Sequence, residues 1–329
     1  MKNKPKLVSG QLLLLASVVI VIRCSNAWAQ SDRTFVATTG ADTETCGSTS
    51  SPCRNFSQGI FRTIAGGEVI ALDSGIYDPI PVTIAKAITL TAAPGVHAEL
   101  FNNYVNPKRI TVNAGTNDRV VLRNLYLTNS SSGDGYGIFV TSIGVLQIEN
   151  CVVDGFGTGI EITLTSSAQV QISMKDTIVR NNTQIGAYFY TTAGTIKVSI
   201  DKSHFDNNVG SGAEFSGTGV FVGKRSKVTI RDSVATGNSA SGFYAADDKA
   251  DLNLENCESS NNRDGVIASD ILSAGGGGTA TVSNSIITNN SRYGFLQQGT
   301  ALFNSMGNNT VRRNVTSNTN GTITVISGT

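Results

Sequence analysis

Histidine is nearly absent from this chain: His97 and His204 are the only two. His97 follows Pro94-Gly95 in a loop, and His204 is expected on a short strand, facing out, with Ile178 and Val234 as ladder neighbours. Residues so placed suggest no Ser–His–Asp relay, and a solvent-facing structural role is the expectation for both. Charge of one sign is missing too. Lys and Arg number 25 against 24 Asp and Glu, for a formal charge of +1. That balance argues against nucleic acid as a partner. After residue 29 no apolar run is long enough to cross a bilayer. Cysteine is scarce, with 5 in all.

What the chain does have is a repeat. Leu122, Ile148, Met174, Ile200, Ile230, Leu254, Val282 and Met306 stand 24 to 30 residues apart, all apolar in a chain that is 40% so. Two residues before them come Val120, Leu146, Ile172, Val198, Val228, Leu252, Ala280 and Asn304. Two residues after come Asn124, Asn150, Asp176, Lys202, Asp232, Asn256, Asn284 and Asn308. Eight residues after, most coils carry asparagine: Asn182, Asn208, Asn238, Asn262, Asn290 and Asn314. Such periods mark a solenoid, whose units bury their apolar faces only against each other. Within a unit, Val228-Thr229-Ile230 alternates in twos as a half-buried strand does. The Asn/Asp position suits a left-handed bend. Gly137, Gly159, Gly186, Gly212, Gly242, Gly265 and Gly294 open a third strand, with Phe243 and Ala245 inward and Tyr244 outward. Three short strands per turn make a parallel β-helix, and stacked asparagines can bond along the axis. Loops between the third strand and the next unit, Gly275–Gly278 included, take up the length differences.

Three segments are expected. Residues 1–29 are read as a signal peptide, with Lys2, Lys4 and Lys6 ahead of an apolar stretch and Ala27-Trp28-Ala29 as cleavage site. Losing Arg23 and these lysines takes the charge from +1 to −3. Residues 30–68 form an N-terminal cap with a helix over Pro52–Ala65, and 69–329 the β-helix. Cys46 and Cys53 stand seven apart in a Gly/Ser/Thr/Pro loop on an oxidising export route, which favours a disulfide, two free thiols being the alternative. Cys151 and Cys257 are four coils apart, roughly 19 Å at strand spacing, and read as buried small hydrophobes.

Thr34–Gly40, Cys46 with Ser51-Pro52-Cys53, Ala65–Leu72, Asp73-Ser74-Gly75 and the Asn/Ser/Gly coils together carry a resemblance. The chain resembles the pectin lyase-like right-handed parallel β-helix superfamily, in its secreted bacterial branch. The resemblance implies an all-β, right-handed solenoid with a helical cap. It also implies that any catalysis sits on the outer face of one sheet, between coils. Members include polysaccharide lyases, glycoside hydrolases, epimerases, tailspikes and adhesins, so fold alone does not name a reaction. The Asn-Thr-Asp, Asp-Asp and His-Gly signatures of its hydrolases are reduced here to Asp247-Asp248.

The outer column two residues past each third-strand glycine is expected to hold Phe139, Glu161, Tyr188, Glu214, Tyr244, Ile267 and Leu296. Carboxylates alternating with aromatics suit sugar. Glu161 and Glu214, roughly 9.6 Å apart, fall near the upper end of an inverting pair and are the catalytic candidates. Tyr188 and Tyr244 are the stacking candidates, and Lys224 and Arg225 the readers of acid groups. No cofactor or metal is expected. Asp154 and Asp206 occupy similar turns, but Arg180 and Asn181-Asn182 stand between them, and nothing further supports calcium there. The leading expectation is a secreted, periplasmic or cell-surface monomer that binds a carbohydrate or surface partner. The alternatives are a lyase or hydrolase of acidic glycans, and a structural spacer.

Overall fold

The computed structural model describes residues 30–102, 108–130, 135–211, 215–271 and 276–327. The leader expected over 1–29 lies outside the described residues, and so does Glu214. The described residues form an all-β parallel solenoid with one short helix. Its three sheets hold 12, 10 and 10 strands. After two opening strands that both belong to the first sheet, successive strands visit the second, third and first sheet in turn, and each pairs in parallel with its counterpart one coil away.

The apolar columns pair as the repeat requires. Leu122, Ile148, Met174, Ile200, Ile230, Leu254 and Val282 lie in one register along the first sheet and are buried. The last coil departs from expectation. Val282 pairs with Ser305 and Ala280 with Phe303, so Phe303 faces the core in place of Asn304, and Met306 falls past the strand. A one-residue slip exchanges the faces of a strand, and the Phe303 ring packed on Phe295 at 4.7 Å decides this one.

Both sharp corners take left-handed backbone. At the corner from first to second sheet, Asn124, Asn150, Asp176, Lys202, Asp232, Asn256 and Asn284 all have φ between 47° and 57°. At the next corner the same conformation falls to Asn181, Asn207, Asn261 and Asn289, each immediately ahead of a ladder asparagine. Lysine gains nothing from this conformation, whereas Asn and Asp bond locally within it. Lys202→Asn is therefore expected to stabilise the chain by about 0.5–1 kcal/mol. A urea unfolding midpoint that falls instead of rising would contradict this.

The asparagine ladder is buried, and its amides bond rung to rung except between Asn262 and Asn290, where only the Asn262 backbone N–H reaches Asn290 Oδ1, at 3.0 Å. Asn182 Nδ2 donates to Asn208 Oδ1 at 2.8 Å, Asn208 to Asn238 at 2.9 Å, Asn238 to Asn262 at 2.9 Å, and Asn290 to Asn314 at 2.9 Å. Each Oδ1 also accepts a backbone N–H from the preceding coil; Phe156 supplies the first, to Asn182. A second ladder, of hydroxyls, runs along the other corner. The backbone N–H of Thr177 donates to Ser203 Oγ at 3.3 Å, and that of Ser203 to Ser233 Oγ at 3.1 Å. Cys151 and Cys257 occupy this column, their thiols bonded to the carbonyls of Glu149 and Glu255. Burial pushes Cys151 up to about 12 and Cys257 up to about 11, so both stay protonated and inert.

The N-terminal segment carries a disulfide between Cys46 and Cys53, with Cα atoms 4.9 Å apart. The helix is shorter than expected, Phe56–Arg62. Thr63 already belongs to a first-sheet strand, Thr63–Ala71, that pairs with Ser31–Val36, so β-structure begins before residue 69. Ile64 is consequently exposed, while Phe56 and Ile60 are buried. Asp78 fastens the start of the helix, accepting from the Phe56 N–H at 2.7 Å and the Ser57 hydroxyl at 2.6 Å.

Candidate functional site

The third sheet positions the candidates. In its strands Tyr136–Ser142, Thr158–Leu164 and Ile185–Thr191, Ile138, Ile160 and Ala187 face the core, and Phe139, Glu161 and Tyr188 face out in direct register. Opposite Tyr188 in the next strand, Thr218–Val222, stands Phe221, followed by Tyr244, Ile267 and Leu296. The column thus holds Phe221 where Glu214 was expected. The corner glycine of this coil is Gly219 rather than Gly212: a Cβ on it would lie 2.6 Å from Gly242 O and 3.1 Å from Asn238 Nδ2. The extra residues of this long coil precede the third strand instead of following it. Phe221 thus takes the register position opposite Tyr188, and Glu214 lies outside the described residues.

The outer face divides in two. Toward the C-terminus, Ile185, Phe221, Tyr244, Ala246, Ile267 and Leu296 form a second buried apolar cluster outside the solenoid wall, with Phe215 and Tyr188 packed on it. Tyr244 is 1% exposed and meets Phe221 edge to face at 5.1 Å. It is a packing residue and offers no face to a ligand, contrary to the expectation from its outward position. Beside this cluster Asp264, wholly buried, accepts two bonds from Arg292, at 2.8 and 2.6 Å, and one from Arg263.

Toward the N-terminus the face is polar and half open. Glu161 is half-buried and accepts from the Thr163 hydroxyl at 3.1 Å. Burial pushes its carboxyl above the usual range, and the Thr163 bond and the Lys108 ammonium partly offset that. Lys108 sits over the Phe139 ring, 3.9 Å from its centre. Tyr188 and Tyr190, both half-exposed, lie with rings 6.1 Å apart and tilted by only 11°. The Tyr188 phenol is held far above its ordinary value, first by burial and then by the negative charges of Glu161 and Asp247 and by Tyr190. It remains a proton donor at every physiological pH. Tyr136 is raised as well, by burial and by Glu161. Phenol donors, a partly desolvated carboxylate and one ammonium meet here, a set able to hold hydroxyls and to exchange a proton.

The structure thus joins Glu161 with Tyr188 and separates both from Arg225. Arg225 occupies the turn from third to first sheet with φ 56°, its N–H bonded to Asp248 O at 3.0 Å, and it lines a hollow on the first-sheet side. Lys224, half-buried, precedes it; its carbonyl accepts from the Thr191 N–H at 3.2 Å. Lys108, Thr163, Tyr190 and Asp247 were not singled out for this site from the sequence. Tyr190 carried a usable signal, standing two residues past Tyr188 on the same strand face. Asp154 is already engaged, by Arg180 Nε and Asn181 Nδ2, each at 2.8 Å. Among the described residues, Asp42, Cys46 and Cys53 are the one cluster with metal-donor spacing, and its sulfurs are tied up in the disulfide.

The family described as right handed beta helix region matches residues 213–329. The parallel β-helix seen here is the fold that this family model describes over those residues. Among solved structures the chain is similar to an alginate lyase from Paenibacillus sp. str. FPU-7, at a TM-score of 0.62 and 13% identity, over 82% of this chain and 95% of that one. It is also similar to the pectate lyase Pel9A, at a TM-score of 0.47 and 14% identity, over 86% of this chain and 80% of that one. At such identities the likeness is one of fold. No curated protein matches the sequence.

Proposed function

We propose that this protein binds a carbohydrate on the open half of the third sheet's outer face. The observation that carries the reading is the near-parallel pair Tyr188 and Tyr190 beside the half-buried Glu161. Co-aligned ring faces form a ledge for pyranose rings, and Glu161, Thr163 and the phenols supply bonds to hydroxyls. The Cys46–Cys53 disulfide supports a place outside the cytoplasm, reached through the leader over 1–29. The chain works as a monomer, and the helix Phe56–Arg62, packed on the first strands, closes the N-terminal end of the solenoid against edge pairing.

A glycan array followed by calorimetry tests the reading. Tyr188→Ala with Tyr190→Ala is expected to weaken binding at least about tenfold, or ~1.4 kcal/mol, with the fold intact by circular dichroism. Equal binding by the folded double variant would end the proposal.

A second reading, lyase or hydrolase action on an acidic glycan, draws on the raised Glu161 carboxyl and on the shared fold with an alginate lyase. On this reading Glu161 exchanges the proton while Tyr188 donates to a sugar oxygen, and Lys108, whose charge acts on Glu161, is the cation at hand for an acid group. Product analysis on any bound polymer separates the two: turnover abolished by Glu161→Gln supports catalysis, and binding without turnover leaves a binding protein.

A further inference from the structure

On the open half of the third sheet, rings and carboxylates outnumber cations. Phe139, Glu161 and Tyr188 stand in direct register on three adjacent strands. One carboxylate thus lies between two aromatic side chains, roughly 4.8 Å of strand spacing to either side. Tyr136 packs on Phe139 with ring centres 5.0 Å apart, and Tyr190 lies beside Tyr188. Rings therefore border Glu161 on both neighbouring strands.

Two carboxylates serve this face, since the charges of Glu161 and Asp247 both act on the Tyr188 phenol. Among the described residues neither carboxylate forms an ion pair. The cation whose charge acts on Glu161 is the exposed Lys108. Its ammonium does not close on the carboxylate. It sits over the Phe139 ring, 3.9 Å from the centre. An ammonium is thus already present on this surface, held by a ring face beside an unpaired carboxylate. Ring faces carry the negative end of the quadrupole and attract cations, most of all where water is partly excluded. A sugar acid would meet two carboxylates here. A neutral sugar would leave both without a counter-charge.

We propose that the ledge recognises a glycan bearing free amino groups, a hexosamine polymer without its N-acetyl caps, and that the Lys108 ammonium is a built-in stand-in which the ligand's amine displaces. The inference rests on the carbohydrate reading of this ledge and adds a sign of charge to it. The ammonium of one sugar takes the Phe139 face and pairs with Glu161, while the next ring lies on Tyr188 and Tyr190. Lys108 is exposed, so its side chain has solvent to move into.

The test is calorimetric titration of the full chain with a size-defined glucosamine oligomer and with the N-acetylglucosamine oligomer of equal length. Slightly below neutral pH a good share of the sugar amines is protonated. The amine oligomer should bind about tenfold or more tighter, and raised salt should narrow the gap. Lys108→Gln should raise affinity for the amine oligomer several-fold, because it removes the competitor, and the thermal midpoint should hold. A lysine that reads acid groups, or one that only packs on Phe139, would not give that gain. Glu161→Gln should bring the two affinities together. Four results would each overturn the proposal: no binding of the amine oligomer, equal or tighter binding of the acetylated one, no gain in Lys108→Gln, or an undiminished preference in Glu161→Gln. The carbohydrate reading fails by a different result, undiminished glycan binding by the folded Tyr188→Ala, Tyr190→Ala variant. Preference for a neutral glycan, lost in that variant, would sink the amine proposal alone.

Discussion

Asn238→Ala is expected to lower the unfolding free energy by about 3–5 kcal/mol, since the loss leaves several buried polar groups without partners at ~1–3 kcal/mol each. The Asn238 Oδ1 takes the N–H and the Nδ2 of Asn208, at 3.0 and 2.9 Å. Its Nδ2 gives to Phe205 O and to Asn262 Oδ1, both at 2.9 Å. The site is 1% exposed, so water does not readily replace these bonds. Asn238→Asp separates hydrogen bonding from shape. The carboxylate keeps the acceptor but loses the donor and buries a charge. Its folded-state pKa would be raised, so the deficit should shrink as pH falls toward and below the ordinary carboxylate range. Denaturant titrations of both variants at two pH values check this. A loss under about 1 kcal/mol for Asn238→Ala would mean the ladder is structural ornament.

Ile200→Ala is expected to lose about 2–5 kcal/mol, the range for a buried aliphatic truncated to methyl. Ile200 is wholly buried and stacked in register between Met174 and Ile230. In a solenoid those neighbours cannot close the gap without bending the strand ladders on either side. Ile200→Val removes one methyl group and should lose only about 0.5–1.5 kcal/mol. Equal midpoints for wild type and Ile200→Ala would place this side chain outside the core. From the sequence alone the apolar truncation looks the heavier of the two. The bonds that converge on Asn238 bring the ladder to at least the same level.

The solenoid was legible because each column demands a narrow chemistry. The first-sheet stack is apolar from Leu122 to Val282, the corners favour Asn and Asp, and the ladder needs an amide. Those demands recur in every coil, so aligned columns exposed them. The hydroxyl ladder left the same kind of trace, small residues three positions after each apolar one, but Cys151 and Cys257 in the column made it look merely hydrophobic. The third sheet was harder. Gly212 and Gly219 both stand two residues ahead of a plausible outward side chain, Glu214 or Phe221, and only pairing with Tyr188 and Tyr244 chooses between them. Tyr244 does point outward, as its alternation says. Its burial arises from a second apolar layer assembled across five coils, for which no periodic signal exists. The half of the site that could be read, Glu161 with Tyr188, is the half where neighbouring coils have equal length.

The ladder has one more property. Its rungs are bridged by 26 residues of chain between Asn182 and Asn208, 30 between Asn208 and Asn238, and 24 between Asn238 and Asn262, yet the bonds measure 2.8, 2.9 and 2.9 Å. The spine is indifferent to how much chain each turn sends out to the surface. Copying one whole turn would therefore lengthen the rod by a single strand spacing, roughly 4.8 Å, and leave the spine in phase. Each outer face would gain one further row of side chains. The length of an outer face, on this architecture, is a quantity that unit duplication can tune while loop edits alter its chemistry.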